Sequence, residues 1–280
     1  MSSPYLLSIV TFVYGLSAAM YIFAWVFDKP ASGRAATWIA VVGVAGNFAG
    51  LLLRWMESYR LQYGHAPLSN LYESLVFFAL VIAITHLVVE WKFKTRNLGA
   101  FTVPLVFITI AYASLKPGLG VEIKPLIPAL KSNWLIAHVV TCFIGYGSFA
   151  VSLGVSFIYL IKRGHADDDG LLARLPKAGV LDELNNQLVM FGFLFLSVGI
   201  ITGAVWANSA WGRYWGWDPK ETWSLITWFI YASLLHFRFM RGWQGTRIAI
   251  FSMVGFAAVL FTYFGVNLLP GLHSYGAMGG

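Results

Sequence analysis

The residues with the strongest claim to chemistry lie in one run, Trp206-Ala-Asn-Ser-Ala-Trp211-Gly-Arg-Tyr-Trp215-Gly-Trp217-Asp218-Pro-Lys-Glu-Thr-Trp223, which holds five of the twelve tryptophans. One or two Trp here would read as an interfacial belt, since indole is favourable at headgroup depth. A belt does not call for Gly212 and Gly216 between the rings, nor for Asp218-Pro219 directly after them. Glycine lets the backbone approach a flat object, and clustered indoles offer a broad stacking surface. The pattern predicts a platform for a flat, largely apolar ligand, with Arg213 or Lys220 to meet a charged edge. Asp218 is placed to cap a helix starting near Pro219, with Glu221 in its first turn. Six histidines supply the other candidate groups: His65, His86, His138, His165, His236 and His273. No Ser/His/Asp set or pair of carboxylates accompanies them, so the expected chemistry is binding and positioning.

The elements that must position these groups are apolar spans. Hydrophobic residues make up 58% of the 280 residues and charged residues 11%, against roughly 45–50% and 25% in an ordinary soluble chain. So few charges cannot cover a water-facing surface, and lipid is the main solvent. The net charge of +7 then reads as cationic loops holding spans in place, and not as nucleic-acid binding. The single cysteine, Cys142, excludes a disulfide framework, a CxxC pair and a Cys-rich metal site within one chain. The expected fold class is an all-α integral membrane protein, one polytopic domain over 1–280 with eight spans. They cover 5–27, 35–55, 70–91, 98–115, 134–161, 187–207, 222–240 and 247–269, each near the ~20 residues a crossing needs. The first lacks the basic leader and cleavage site of a signal peptide. The polar stretch 162–186 reads as a loop with a short amphipathic helix. Twelve of the nineteen Lys and Arg follow spans 1, 3, 5 and 7, and seven follow spans 2, 4 and 6. That bias places both termini, and the Trp loop at 208–223, outside.

This topology gives each histidine a depth. His138 sits at the outer end of span 5, and His273 follows span 8 in the outside tail, so both lie level with the Trp loop. Two imidazoles beside an aromatic platform are what an axially ligated porphyrin needs. His236 and His86 fall in the inner halves of spans 7 and 3, where each is either a hydrogen-bonded packing residue or a deeper ligand. His165, beside Asp167–Asp169, reads as solvated, and His65 lies in the outside loop before span 3.

The run from Trp211 to Trp228, then His236, Gly242-Trp243-Gln-Gly245 and Phe264-Gly-Val-Asn-Leu-Leu-Pro-Gly-Leu-His273-Ser-Tyr, resembles the CcsA/ResC family. These are the WWD-domain haem-handling proteins of System II cytochrome c maturation. Pro67-Leu-Ser-Asn-Leu-Tyr-Glu73-Ser-Leu is similar to the family's outer end of the third span, and Trp134-Leu-Ile-Ala-His138 to its first external histidine. The resemblance runs over about residues 65–275. It implies that His138 and His273 ligate haem iron externally and that His236 helps form an entry site within the membrane. It implies that Trp211, Gly212, Trp215, Gly216, Trp217 and Asp218 form the haem-contacting loop. His86 has no counterpart in the family pattern, and Glu73 reads equally as a structural partner of a nearby base.

The resemblance also implies the activity: a holocytochrome c synthase (haem lyase) subunit. It would deliver haem b and attach it to the CxxCH segment of apocytochrome c, with a CcsB/ResB-type membrane partner. The setting would be a bacterial cytoplasmic membrane, or a thylakoid. A membrane haem chaperone or regulator without ligation activity is the main alternative. A secondary transporter would call for inverted repeats and midplane polar sites that the sequence lacks. A structural membrane subunit would leave the Trp cluster as a belt.

Overall fold

A computed structural model describes residues 2–163 and 170–269. Among them there is no strand. Long helices are the expected solution in lipid, because a helix satisfies its backbone polar groups internally. Seven helices are long and apolar enough to cross a membrane, so the chain is an all-α membrane protein. The described residues group into two compact units.

Unit 1 comprises residues 1–127 with 164–177. Its helices are α1 (Ser3–Phe27), α2 (Pro30–Arg60), α3 (Leu71–Phe93) and α4 (Gly99–Leu115). Helix α1 packs on α2 and α4, and α3 on α4 and α2. The packed faces use small residues, Ala18, Ala36, Ala40 and Ala100, around Tyr21 and Val103. Small side chains let helices approach where lipid supplies no hydrophobic drive to associate. Interhelical hydrogen bonds add to this: Tyr21 Oη and Thr37 Oγ1 donate to the two oxygens of Glu90, each at 2.6 Å. The short helix α5 (Gly170–Ala173) returns to this unit, where Trp25 Nε1 donates to the Leu171 carbonyl at 3.1 Å.

Unit 2 comprises residues 128–163 and 178–280. Its helices are α6 (Asn133–Lys162), α7 (Ala178–Trp211), α8 (Pro219–Arg241) and α9 (Thr246–Tyr263). Helix α6 packs along α7 and on α9, and α8 packs on α9 and α7. Ser152, Asn185 and Ser252 join α6, α7 and α9 by buried hydrogen bonds, with Ser152 Oγ 2.5 Å from Asn185 Oδ1 and 2.6 Å from Ser252 Oγ. Phe149 and Tyr231 stack with centroids 3.6 Å apart.

Two elements differ from the sequence reading. Helix α7 begins at Ala178, inside the stretch expected as loop, because Leu181, Leu184 and Leu188 bury on one side at helical spacing. Helix α8 forms where span 7 is expected, but it is not among the seven apolar enough to cross. Trp, Thr, Ser, His and Arg interrupt its apolar run, and only Thr227, Tyr231 and Leu234 are buried.

The end of unit 1 where α2 finishes and α3 begins is tied by a buried ion pair. Arg54 Nε meets Glu73 Oε1 at 2.6 Å, with both side chains 1% exposed. Glu73 Oε2 accepts from the Ser69 amide and hydroxyl, both at 2.8 Å, and the Asn70 side chain caps the same turn. Removing one partner of such a pair leaves a buried charge uncompensated, at a cost of about 3–5 kcal/mol. Glu73→Gln is therefore expected to lower the thermal midpoint in detergent sharply. The paired change Arg54→Met with Glu73→Leu is expected to lower it less. Equal losses in the single and double variants would exclude this account.

Candidate functional site

The part of unit 2 that carries the Trp loop is built around His138 in the second turn of α6. Ser132 caps that helix, its Oγ accepting from the Trp134 amide at 3.3 Å. His138 Nδ1 lies 2.7 Å from the Gly199 carbonyl of α7. A carbonyl only accepts, so Nδ1 carries the proton and Nε2 keeps its lone pair. Nε2 has no hydrogen-bond partner among the described residues. This arrangement, one ring nitrogen held by a carbonyl and the other open, is the usual setting of a metal-ligating histidine. The ring lies in a slot left by Gly203, where a Cβ would stand 2.6 Å from Nδ1.

The imidazole leads directly into the tryptophans. Trp206 lies parallel to His138, centroids 6.0 Å apart at 11°, and its Nε1 donates to the Ala129 carbonyl at 2.9 Å. Trp211, the last residue of α7, meets Trp206 edge-on at 4.9 Å. Beyond it, Trp215 and Trp217 form a second edge-on pair at 5.7 Å and 89°. Trp217 is 70% exposed and holds a left-handed φ of 57°, which costs a residue with a side chain about 1–2 kcal/mol. The Arg213 guanidinium lies over the Gly216 backbone.

The loop is fastened by the start of α8, as the Asp218-Pro219 pattern predicts. Asp218 and Glu221 form a capping box. Asp218 Oδ1 accepts from the Lys220 amide at 3.0 Å, and Glu221 Oε2 accepts from the Asp218 amide at 3.2 Å and the Gly216 amide at 2.7 Å. Asp218 is buried, so its carboxylate positions the loop. Lys220 precedes the expected span, and burial pulls its ammonium below the usual lysine range, partly offset by nearby Cys142 and Asp218. Trp223 leaves the platform, its ring packing on Phe261 at 4.2 Å.

The remaining histidines sort by their partners. In unit 1, His86 has both nitrogens engaged: Nδ1 with Thr102 Oγ1 at 2.8 Å, and Nε2 with Tyr21 Oη at 3.3 Å and Glu90 Oε2 at 3.4 Å. It is a packing residue. His65 is likewise held, Nε2 by the Lys124 carbonyl and Nδ1 by the Ala66 carbonyl, both at 3.0 Å. His236 is exposed on α8, touches the Phe237 ring at 5.8 Å and makes no hydrogen bond among the described residues. His273 and His165 lie outside the described residues. The described residues contain no cluster of three or more His, Cys, Asp or Glu side chains able to hold a metal ion.

Sequence reasoning passed over Gly199 and Gly203 as parts of the site. The spacing of Gly192, Gly199 and Gly203 along one side of α7 is the signal that marks a close helix contact.

Residues 68–273 match the family model described as cytochrome C assembly protein. The cytochrome c biogenesis protein CcsA of Gloeobacter violaceus is 37% identical, over 98% of this chain and 94% of its own. That of Parasynechococcus marenigrum is 43% identical over 81% of each chain. Among solved structures, the cytochrome c heme lyase CcmF matches with a TM-score of 0.73 at 18% identity, covering 94% of this chain. The chain spans about half, 47%, of that protein's length, and the likeness is one of fold. With the family pattern running through the Trp loop, and relatives matched along most of their length, this chain belongs to the CcsA family of cytochrome c assembly proteins.

Proposed function

We propose that this protein acts in cytochrome c maturation as the haem-handling subunit of a holocytochrome c synthase. It would hold haem b as a transient substrate at its outer face. The observation that carries this reading is the His138 ring, fixed through Nδ1 by Gly199 with Nε2 left open beside the Trp206–Trp211 pair. His138 supplies one axial imidazole, and His273 of the tail is assigned the other. Trp211, Gly212, Trp215, Gly216 and Trp217 receive the macrocycle, and Asp218 keeps the loop seated. Two neutral imidazoles on iron favour a closed, low-spin state that limits side reactions of reduced haem.

Haem is taken to enter from the inner side. The exposed, unpartnered imidazole of His236 supports a membrane site completed by a second protein, a CcsB/ResB-type partner. At the outer face the CxxCH segment of apocytochrome c brings its own histidine to replace one of the two ligands. Each cysteine thiol then adds across a vinyl group, sulfur to one carbon and hydrogen to the other, with no net oxidation. This protein's share is positioning, worth several kcal/mol of barrier in favourable cases. The same reading places the Trp loop and both termini on the outer side of a bacterial cytoplasmic or thylakoid membrane.

The decisive experiment expresses this chain with its partner and a reporter apocytochrome in a host lacking its own maturation system. Holocytochrome should form, and the purified pair should show a reduced bis-imidazole spectrum. His138→Ala and His273→Ala should each lower haem content or make it dependent on added imidazole. Unchanged haem content in both would refute the external site. Gly203→Ala should mimic His138→Ala in part, because its methyl displaces the imidazole from the Gly199 carbonyl. His86→Ala should leave haem content unchanged while lowering the thermal midpoint, reversing the order seen at position 138.

A further inference from the structure

Unit 2 carries a cleft of about 560 Å³ at the turn between α8 and α9, walled by Tyr159 of α6, the start of α7 and residues 241–247. Small-molecule sites run roughly 300–1,000 Å³. Three arginines stand at this end, and they differ in what they hold. Arg238 Nη1 pairs with Asp182 Oδ2 at 2.5 Å, and Nη2 reaches Glu183 at 3.6 Å. Asp182 is fully used too, its Oδ1 accepting from the Gly245 amide at 2.6 Å. Arg241 and Arg247 line the cleft, are exposed, and make no ion pair among the described residues. Arg247 lies over the Trp243 ring at 5.3 Å.

A line of rings connects this cleft to His236. Trp243 stacks on Phe237 at 4.4 Å and 20°, and Phe237 meets the His236 ring at 5.8 Å. His236 and Arg241 are five residues apart on α8, about 7.5 Å of rise. Two guanidinium groups without an ion pair among the described residues, each able to take a carboxylate bidentately, therefore line one cleft, with the His236 imidazole five residues back along α8. A lipid phosphate would use the charges alone. A planar dicarboxylate would use the charges together with the aromatic lining that Tyr159 and the edge of Trp243 supply.

The geometry points to this cleft as the place where the two propionate carboxylates of the incoming porphyrin are first held, on Arg241 and Arg247, before iron reaches His236. This rests on the inner-side entry proposed above and names the groups that recognise the substrate there. The test uses the full chain in phosphatidylcholine nanodiscs, titrated with iron-free protoporphyrin IX and followed by porphyrin fluorescence anisotropy. Arg241→Gln with Arg247→Gln should weaken binding about tenfold or more, the loss of one or two charge-assisted hydrogen bonds. Protoporphyrin dimethyl ester should bind the wild type and the double variant alike. Lys92→Gln with Lys94→Gln, in unit 1, should change nothing. Undiminished affinity in the double variant overturns the assignment, as does an equal loss for the ester. An effect seen only when phosphatidylglycerol is present also overturns it, by making a lipid headgroup the ligand. If any of these occurs while the wild type with its partner still shows the bis-imidazole spectrum, the cleft assignment falls and the haem reading stands. A wild type that takes up no haem sinks the haem reading itself.

Discussion

The close approach of α6 to α7 is the constraint on which the arrangement around His138 depends. A Cβ at Gly145 would stand 2.9 Å from the Gly192 carbonyl, so the two backbones meet with no side chain between them. In lipid this contact gains nothing from the hydrophobic effect and must come from packing and interhelical hydrogen bonds. At this spacing the Gly199 carbonyl, which already accepts from Thr202 at 3.1 Å, also reaches His138. The same spacing brings Trp206 parallel to the imidazole. Moving the helices apart by one methyl group would break the hydrogen bond that fixes the tautomer.

The buried histidine, arginine and carboxylate groups within the helices of unit 1 are engaged with one another, whereas His236 and Arg241 of unit 2 stand exposed. In unit 1, His86, Glu90, Arg54 and Glu73 each meet partners from other helices or turns. Such contacts between helices hold spans together. In unit 2, three groups with open valence lie toward the two ends of α8: the Nε2 of His138 beside the loop before it, and His236 and Arg241 near its finish. An imidazole in the membrane is costly, so the presence or absence of a partner is more telling than its depth.

Much of this was legible in the residues. The Trp run with its glycines reads as a platform in the sequence, and the structure shows its rings in edge-on pairs, Trp206 with Trp211 and Trp215 with Trp217. Asp218-Pro219 with Glu221 announced the capping box that fastens it, because capping is a local property of four residues. Counting from the start of a span puts His138 near the beginning of its helix, and it lies in the second turn. The fate of His86 was not legible, since Tyr21 and Thr102 reach it from 65 and 16 residues away and no local pattern foretells such a meeting. The early start of α7 was hidden by polar residues such as Asp182 and Asn185, which turn out to be bound to other helices. The weak apolarity of α8 was visible in its composition, but its length and flanking arginines resembled those of a span.

Helix α8 joins the two ends of unit 2 through a single run of hydrogen-bonded backbone. Glu221, which holds the amides of Gly216 and Asp218, and His236 are fifteen residues apart on it, about 22 Å of rise. Their angular relation is fixed by the count of residues between them. One residue inserted or deleted there turns His236 by about 100° relative to the loop, while substitutions in the same stretch leave that phase untouched. Evolution can therefore vary the side chains of this helix widely and its length hardly at all.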